Sequence, residues 1–174
     1  VLSAIERLAA CSPCAKSKRA AVVFDAKTGR QWGTGFNKPP TPMVCDGSDA
    51  CRRDCGKICI HAEQMALEAA YCHVSRELGR RSDRDGHSPL EGLDIIHVKV
   101  VDGQVVPGGP PSCWQCSRAV LEAQLAGFWL FEANGNHDTL ERPQGDWHYY
   151  TAEDHAVLAE LWRGLNSRHH QVGP

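Results

Sequence analysis

Two short segments far apart in the chain constrain it most: His61-Ala62-Glu63, and Cys113-Trp114-Gln115-Cys116 preceded by Pro110, Pro111 and Ser112. One imidazole and two thiolates form the open type of zinc site, in which three protein ligands leave the fourth tetrahedral position to water. If His61, Cys113 and Cys116 are those ligands, the fold has to bring together groups 52 positions apart. Zinc held this way lowers the pKa of a bound water from about 16 towards about 7. Glu63, two residues past the histidine and not needed as a ligand, is placed to carry protons as base and then as acid. This is a kit for hydrolytic attack on an amidine carbon.

The spacing suits helices. Cys113 and Cys116 stand at i and i+3, neighbours on one helix face, and the two prolines upstream favour an extended entry and a helix start. Residues 62–70 (AEQMALEAA) are almost all strong helix formers, which puts His61 at the first turn of that helix. Two helix N-termini then face the metal, and their partial positive charge favours thiolate and hydroxide. An isolated H-x-E or C-x-x-C is common by chance, and a C-x-x-C is often a structural zinc clip or a redox pair. Found together, in this order and each opening a predicted helix, they favour catalysis. A non-catalytic, zinc-stabilised binding module is the rival of another class, and Glu63 discriminates, because a purely structural site has no use for it.

At 174 residues and 42% hydrophobic content, the chain is expected to form a single domain over residues 1–174. A formal charge of -2 weakens any reading that needs a broadly cationic surface, so a polynucleotide partner is less favoured than a small molecule. The longest strongly apolar stretch, residues 125–131, is far below the roughly 18 residues of a membrane span. Glu6 and Arg7 interrupt the opening segment within a helical pattern, unlike a secretory signal, and the cytoplasm is the expected compartment. Nine cysteines, an odd count with several at ligand spacing, fit metal better than disulfides.

Periodicity predicts a helix over residues 2–10, strands over 20–24 and 30–36 joined by a turn at 27–29, and a long loop over 37–57. It continues with a helix over 62–78, a polar insertion over 79–92, a strand over 93–101 and a loop over 103–111. A helix over 114–125, a strand over 128–131, an irregular stretch over 134–147 and a helix over 152–165 complete the reading. The implied fold class is α/β, a three-layer α/β/α arrangement with a mixed sheet of about five strands and helices on both faces.

On these residues the chain resembles the zinc-dependent cytidine deaminase superfamily, whose signature is H-x-E with P-C-x-x-C, and within it most closely the deoxycytidylate deaminases. The resemblance covers roughly residues 11–131, leaving 132–174 as a C-terminal extension. It also rests on Lys18-Arg19-Ala20-Ala21-Val22-Val23, on Gly35-Phe36-Asn37-Lys38-Pro39-Pro40 and on His61-Ala62-Glu63-Gln64-Met65-Ala66-Leu67. It implies the cytidine deaminase-like fold, a catalytic zinc and hydrolysis of a cytosine nucleotide, with dCMP to dUMP as first choice. It further implies that Asn37 contacts the sugar, that the backbone N–H of Ala62 contacts the base carbonyl, and that the protein is a homo-oligomer. Phage-type relatives carry a second, structural zinc, and Cys14, Cys45, Cys51 and Cys59 stand in the corresponding places, with Cys11 or Cys55 as substitutes. Such a closed site would pin the long loop that no hydrophobic pattern explains. Two departures touch the pocket: Ser112 replaces the usual proline, and the spacing between His61 and Cys113 is longer than the family's. Deamination of another base, nucleoside, RNA or single-stranded DNA therefore stands as the alternative activity.

Overall fold

The computed structural model describes residues 2–80, 86–108, 113–133 and 145–157. Pro110, Pro111 and Ser112, part of the predicted insertion, most of the 134–147 stretch and the far part of the predicted last helix lie outside them. Elements follow in the order α1 (Leu2–Ala10), β1 (Lys18–Phe24), β2 (Gln31–Phe36), α2 (Asp49–Ile58), α3 (Ala62–Leu78), β3 (Asp94–Val101), β4 (Gln104–Val106), α4 (Trp114–Glu122), β5 (Gly127–Ala133) and β6 (Gly145–Thr151). Residues 152–157 are helical.

The strands form one sheet in the order β2-β1-β3-β5-β6, with β4 a short extra partner of β3. Among the described strands β3 and β5 pair in parallel, and the other pairs are antiparallel. Side chains alternate across the sheet as a pleat requires. Ala20, Val22, Ile96, Val98 and Val100 pack with Ile5 and Ala9 of α1 on one face. Ala21, Val23, Ile95, Phe128 and Leu130 pack with α3 and α4 on the other. The expected mixed sheet with helices on both faces is therefore present.

α3 lies unusually close to β2. A Cβ at Gly33 would collide with backbone atoms of Ala66 and Ala70, and one at Gly35 with those of Ala62 and Ala66. Glycines on the strand facing alanines at i, i+4 and i+8 on the helix let the two backbones meet directly. This contact fixes the height of the start of α3, and so the place of His61 and Glu63. At the far end Gly79 takes the left-handed cap conformation, φ 62°.

Three elements correct the sequence reading. The 37–57 loop contains α2, capped by Ser48, whose hydroxyl accepts the Cys51 N–H at 3.1 Å. Its apolar positions are cysteines, which hid the helical period. The 103–111 loop begins with β4, turned by Asp102 and Gly103 at φ 50° and 77°, the pattern of a type I′ hairpin. The stretch read as irregular ends in β6, which starts at Gly145 and pairs along all of β5. No helix among the described residues is long and apolar enough to cross a membrane.

Candidate metal centre and proton carrier

His61 and Cys113 each cap a helix, α3 and α4, with extended backbone at the cap. Cys116 lies one turn into α4 and is fully buried. The Gln64 side chain accepts the backbone N–H of His61 at 3.0 Å, and the imidazole ring faces the two thiols. Its Nδ1 lies 3.2 Å from Cys116 Sγ and 3.4 Å from Cys113 Sγ. Zinc–ligand bonds of about 2.0–2.1 Å to nitrogen and 2.3 Å to sulfur imply a tetrahedral N···S edge of about 3.6 Å. The three donor atoms all lie within 4.8 Å of one another, and none of the nine cysteines is in a disulfide. The donor set and spacing fit zinc.

Electrostatics agree. Cys113 is pushed down to about 4, first by the Cys116 thiol hydrogen-bonded to it and then by His61, against the effect of burial. Cys116 is pushed up by its hydrogen-bonded partner Cys113, by burial and by the nearby Glu63 carboxylate. The sulfurs titrate as a pair: without metal one is a thiolate, the other keeps the remaining proton, and the neighbouring thiolate holds the His61 ring above its ordinary value. A metal ion bound by all three displaces those protons.

Glu63 sits in the first turn of α3 with 5% of its surface exposed. His97 on β3 faces it, Nε2 to Oε1 3.9 Å, both side chains buried, and the Cys116 thiol also lies against it. Burial pushes the carboxyl up, but His97, its own backbone N–H, His61 and Arg19 outweigh it and the net direction is down. Burial pushes His97 down. His97 has no ligand-like spacing in the sequence; the signal was a lone polar residue in the apolar run Ile95-Ile96-His97-Val98.

The other predicted residues are placed as follows. Asn37 is buried where β2 ends; its Oδ1 accepts from the Arg19 N–H at 2.8 Å and from Ser12 Oγ at 2.8 Å, and its Nδ2 donates to Ser17 O at 2.9 Å. The Ser12 hydroxyl proton is shared between this Oδ1 and the Asn37 backbone carbonyl, 2.7 Å from Ser12 Oγ, and one Nδ2 hydrogen of Asn37 is left. Ala62 is buried at the first position of α3, where a backbone N–H has no partner inside the helix. Cys45 and Cys51 lie 3.5 Å apart, Cys55 and Cys59 3.5 Å, and Cys14 and Cys55 3.7 Å, near the S···S edge of about 3.8 Å expected around zinc. Among the described residues, however, no three of these sulfurs meet within 4.8 Å, so they form an open string. Of the two substitutes, Cys55 joins the string. Cys11 is exposed and donates to Arg7 O.

No protein-family model matches the sequence, and no curated protein is significantly similar to it. Among solved structures the chain is similar to a dCMP deaminase from the cyanophage S-TIM5 in complex with dCMP and dUMP, at 20% identity and TM-score 0.46, over 73% of this chain and 74% of that one. It is similar to a cytidine deaminase from Burkholderia pseudomallei at 16% identity and TM-score 0.46, over 87% of this chain and 90% of that one. A diaminohydroxyphosphoribosylaminopyrimidine deaminase/reductase from Thermotoga maritima matches at 18% identity and TM-score 0.35, over 73% of this chain and 28% of that one. Likeness this distant transfers no residue role; the chemistry rests on His61, Glu63, Cys113 and Cys116 themselves.

Proposed function

We propose that the protein is a zinc-dependent hydrolytic deaminase of the cytidine and deoxycytidylate deaminase kind, converting a cytosine nucleotide, dCMP before others, to its uracil counterpart with release of ammonia. The observation that carries this reading is the convergence of one imidazole and two sulfurs on a point beside a buried carboxylate that is not needed as a ligand. Zinc held by His61, Cys113 and Cys116 would supply a Lewis acid that makes water nucleophilic at neutral pH.

The chain's own groups do the rest. Glu63 accepts a proton from the attacking water, delivers it to the ring nitrogen beside the attacked carbon, and returns a second to the departing amine; one water is consumed and one ammonia released. Burial keeps that carboxylate away from bulk water, so its proton goes to the substrate. The free N–H of Ala62 is available to the base carbonyl, and the remaining Nδ2 hydrogen of Asn37 to a sugar hydroxyl. The string of cysteines around α2 closes on a second, structural zinc, with four ligands drawn from Cys14, Cys45, Cys51, Cys55 and Cys59.

The test is ammonia release from cytosine, cytidine, deoxycytidine, their monophosphates, and a cytosine-containing single strand. Release from dCMP well above the others supports the full reading, whereas preference for the oligonucleotide selects the polynucleotide alternative. Glu63→Ala is expected to lower turnover by at least about 10²–10⁴-fold with zinc content unchanged. Full activity in that variant contradicts the mechanism.

A further inference from the structure

Two buried histidines among the described residues, His97 and His155, have ring nitrogens without a hydrogen-bond partner, and of the two His97 is the one that faces Glu63. It stands in the middle of β3, a strand paired on both sides, and is 2% exposed. Neither ring nitrogen has a hydrogen-bond partner among the described residues. More than about 90% of buried polar groups in folded proteins are satisfied, so an orphan calls for a functional reason or an ordered water. The ring is held by packing: it lies tilted against Phe128, centroids 6.1 Å apart, with Phe128 backed in turn by His155. Nε2 of His97 faces Oε1 of Glu63 at 3.9 Å.

We propose that His97 is a positioning residue for Glu63: its N–H holds Oε1 of the carboxylate and leaves Oε2 to carry the proton between water and substrate. This rests on the deaminase reading above. A proton carrier must present one oxygen first to the water and then to the ring nitrogen, and a carboxylate free to rotate about its last bond presents either oxygen in many directions. A single N–H fixed to the most enclosed strand of the sheet removes that freedom. The gap of 3.9 Å is about 1 Å beyond a formed hydrogen bond, and catalytic contacts commonly tighten only once substrate fills the pocket. A neutral imidazole already carries the one donor required, so the role needs no change in its protonation.

The test uses the zinc-loaded protein and compares His97→Leu, which fills the slot without a donor, with His97→Gln, which restores an N–H. We expect His97→Leu to lower kcat about 10–100-fold, the range typical of groups that orient active-site ligands, with KM within threefold and zinc content unchanged. His97→Gln is expected to recover most of that loss. Should His97→Leu fail to fold, His97→Met replaces it as the donor-free variant. Wild-type kcat in the donor-free variant, or an equal loss in donor-free and Gln variants, overturns the proposal. If the wild type is active, Glu63→Ala is inactive and the donor-free variant is unimpaired, only His97's role falls. If the wild type releases ammonia from none of the substrates, the deaminase reading falls first and takes this one with it.

Discussion

At the sheet end of α3, two sulfurs and an imidazole close within 4.8 Å of one another, with Cys116 and Glu63 buried and both helix starts aimed at the same point. Around α2, five sulfurs run in a string, with Cys45, Cys51, Cys55 and Cys59 half-exposed and no set of three equally close. The donors are nearly the same; the mounting differs. His61, Cys113 and Cys116 are carried by helices seated against the sheet, α3 directly on the glycines of β2, so their geometry is set by the core. Of the five, Cys51 and Cys55 sit on α2, a short polar helix that packs little against the sheet, and Cys14, Cys45 and Cys59 lie in the segments around it, so metal would have to supply the order that packing does not. A site that must act on substrate is expected to be built before its metal arrives, and a site that only fastens a loop is not.

The comparison breaks most visibly if Cys113→Ala or Cys116→Ala spares activity. Each is expected to abolish ammonia release and remove one zinc per chain by elemental analysis, leaving the zinc at the α2 cluster in place. Next in size, Gly35→Val drives a branched side chain into the backbone of Ala62 and Ala66. Overpacking against backbone is expected to cost about 3 kcal/mol, read as a fall of several degrees in Tm together with a loss of kcat, since the start of α3 is displaced.

A smaller effect is expected from Cys45→Ala or Cys51→Ala: loss of the second zinc and a Tm lower by several degrees, with kcat within threefold at low temperature. Should these variants lose activity as fully as Cys113→Ala, the division between a catalytic and a fastening cluster is wrong. Acidification sharpens the picture further. Thiolates and a neutral imidazole bind zinc and their protonated forms do not, so zinc content at both clusters is expected to fall as pH drops from about 6 downward, and to return on neutralisation with zinc added. Smallest of all, Cys11→Ala and Cys72→Ala, exposed and outside both clusters, are expected to change stability by less than about 0.5 kcal/mol.

Much of this was legible in the chain. The run of helix formers from Ala62 and the glycine at position 79 give the span of α3 residue for residue, and the continuous apolar runs of β1 and β3 mark strands buried on both faces. The three proposed zinc ligands and Glu63 announce themselves because their types and offsets carry chemistry. What stayed hidden depended on partners distant in sequence. α2 was concealed because cysteines serve as its apolar face, and β6 because its strand character depends on pairing with β5. Asn37 reads as a sugar contact by resemblance, yet most of its bonding capacity is spent on Ser12, Ser17 and Arg19, a network no local pattern reveals. His97 carries no motif; only the fold brings it to Glu63.

The central claim is an open zinc site with three protein ligands, and the most direct measurement is a crystal of the zinc-loaded protein with anomalous diffraction recorded on both sides of the zinc edge. The account predicts a peak bonded to His61 Nδ1, Cys113 Sγ and Cys116 Sγ, with a solvent oxygen in the fourth position near the Glu63 carboxylate. A fourth protein atom in that position, or no zinc between these three side chains, would contradict it.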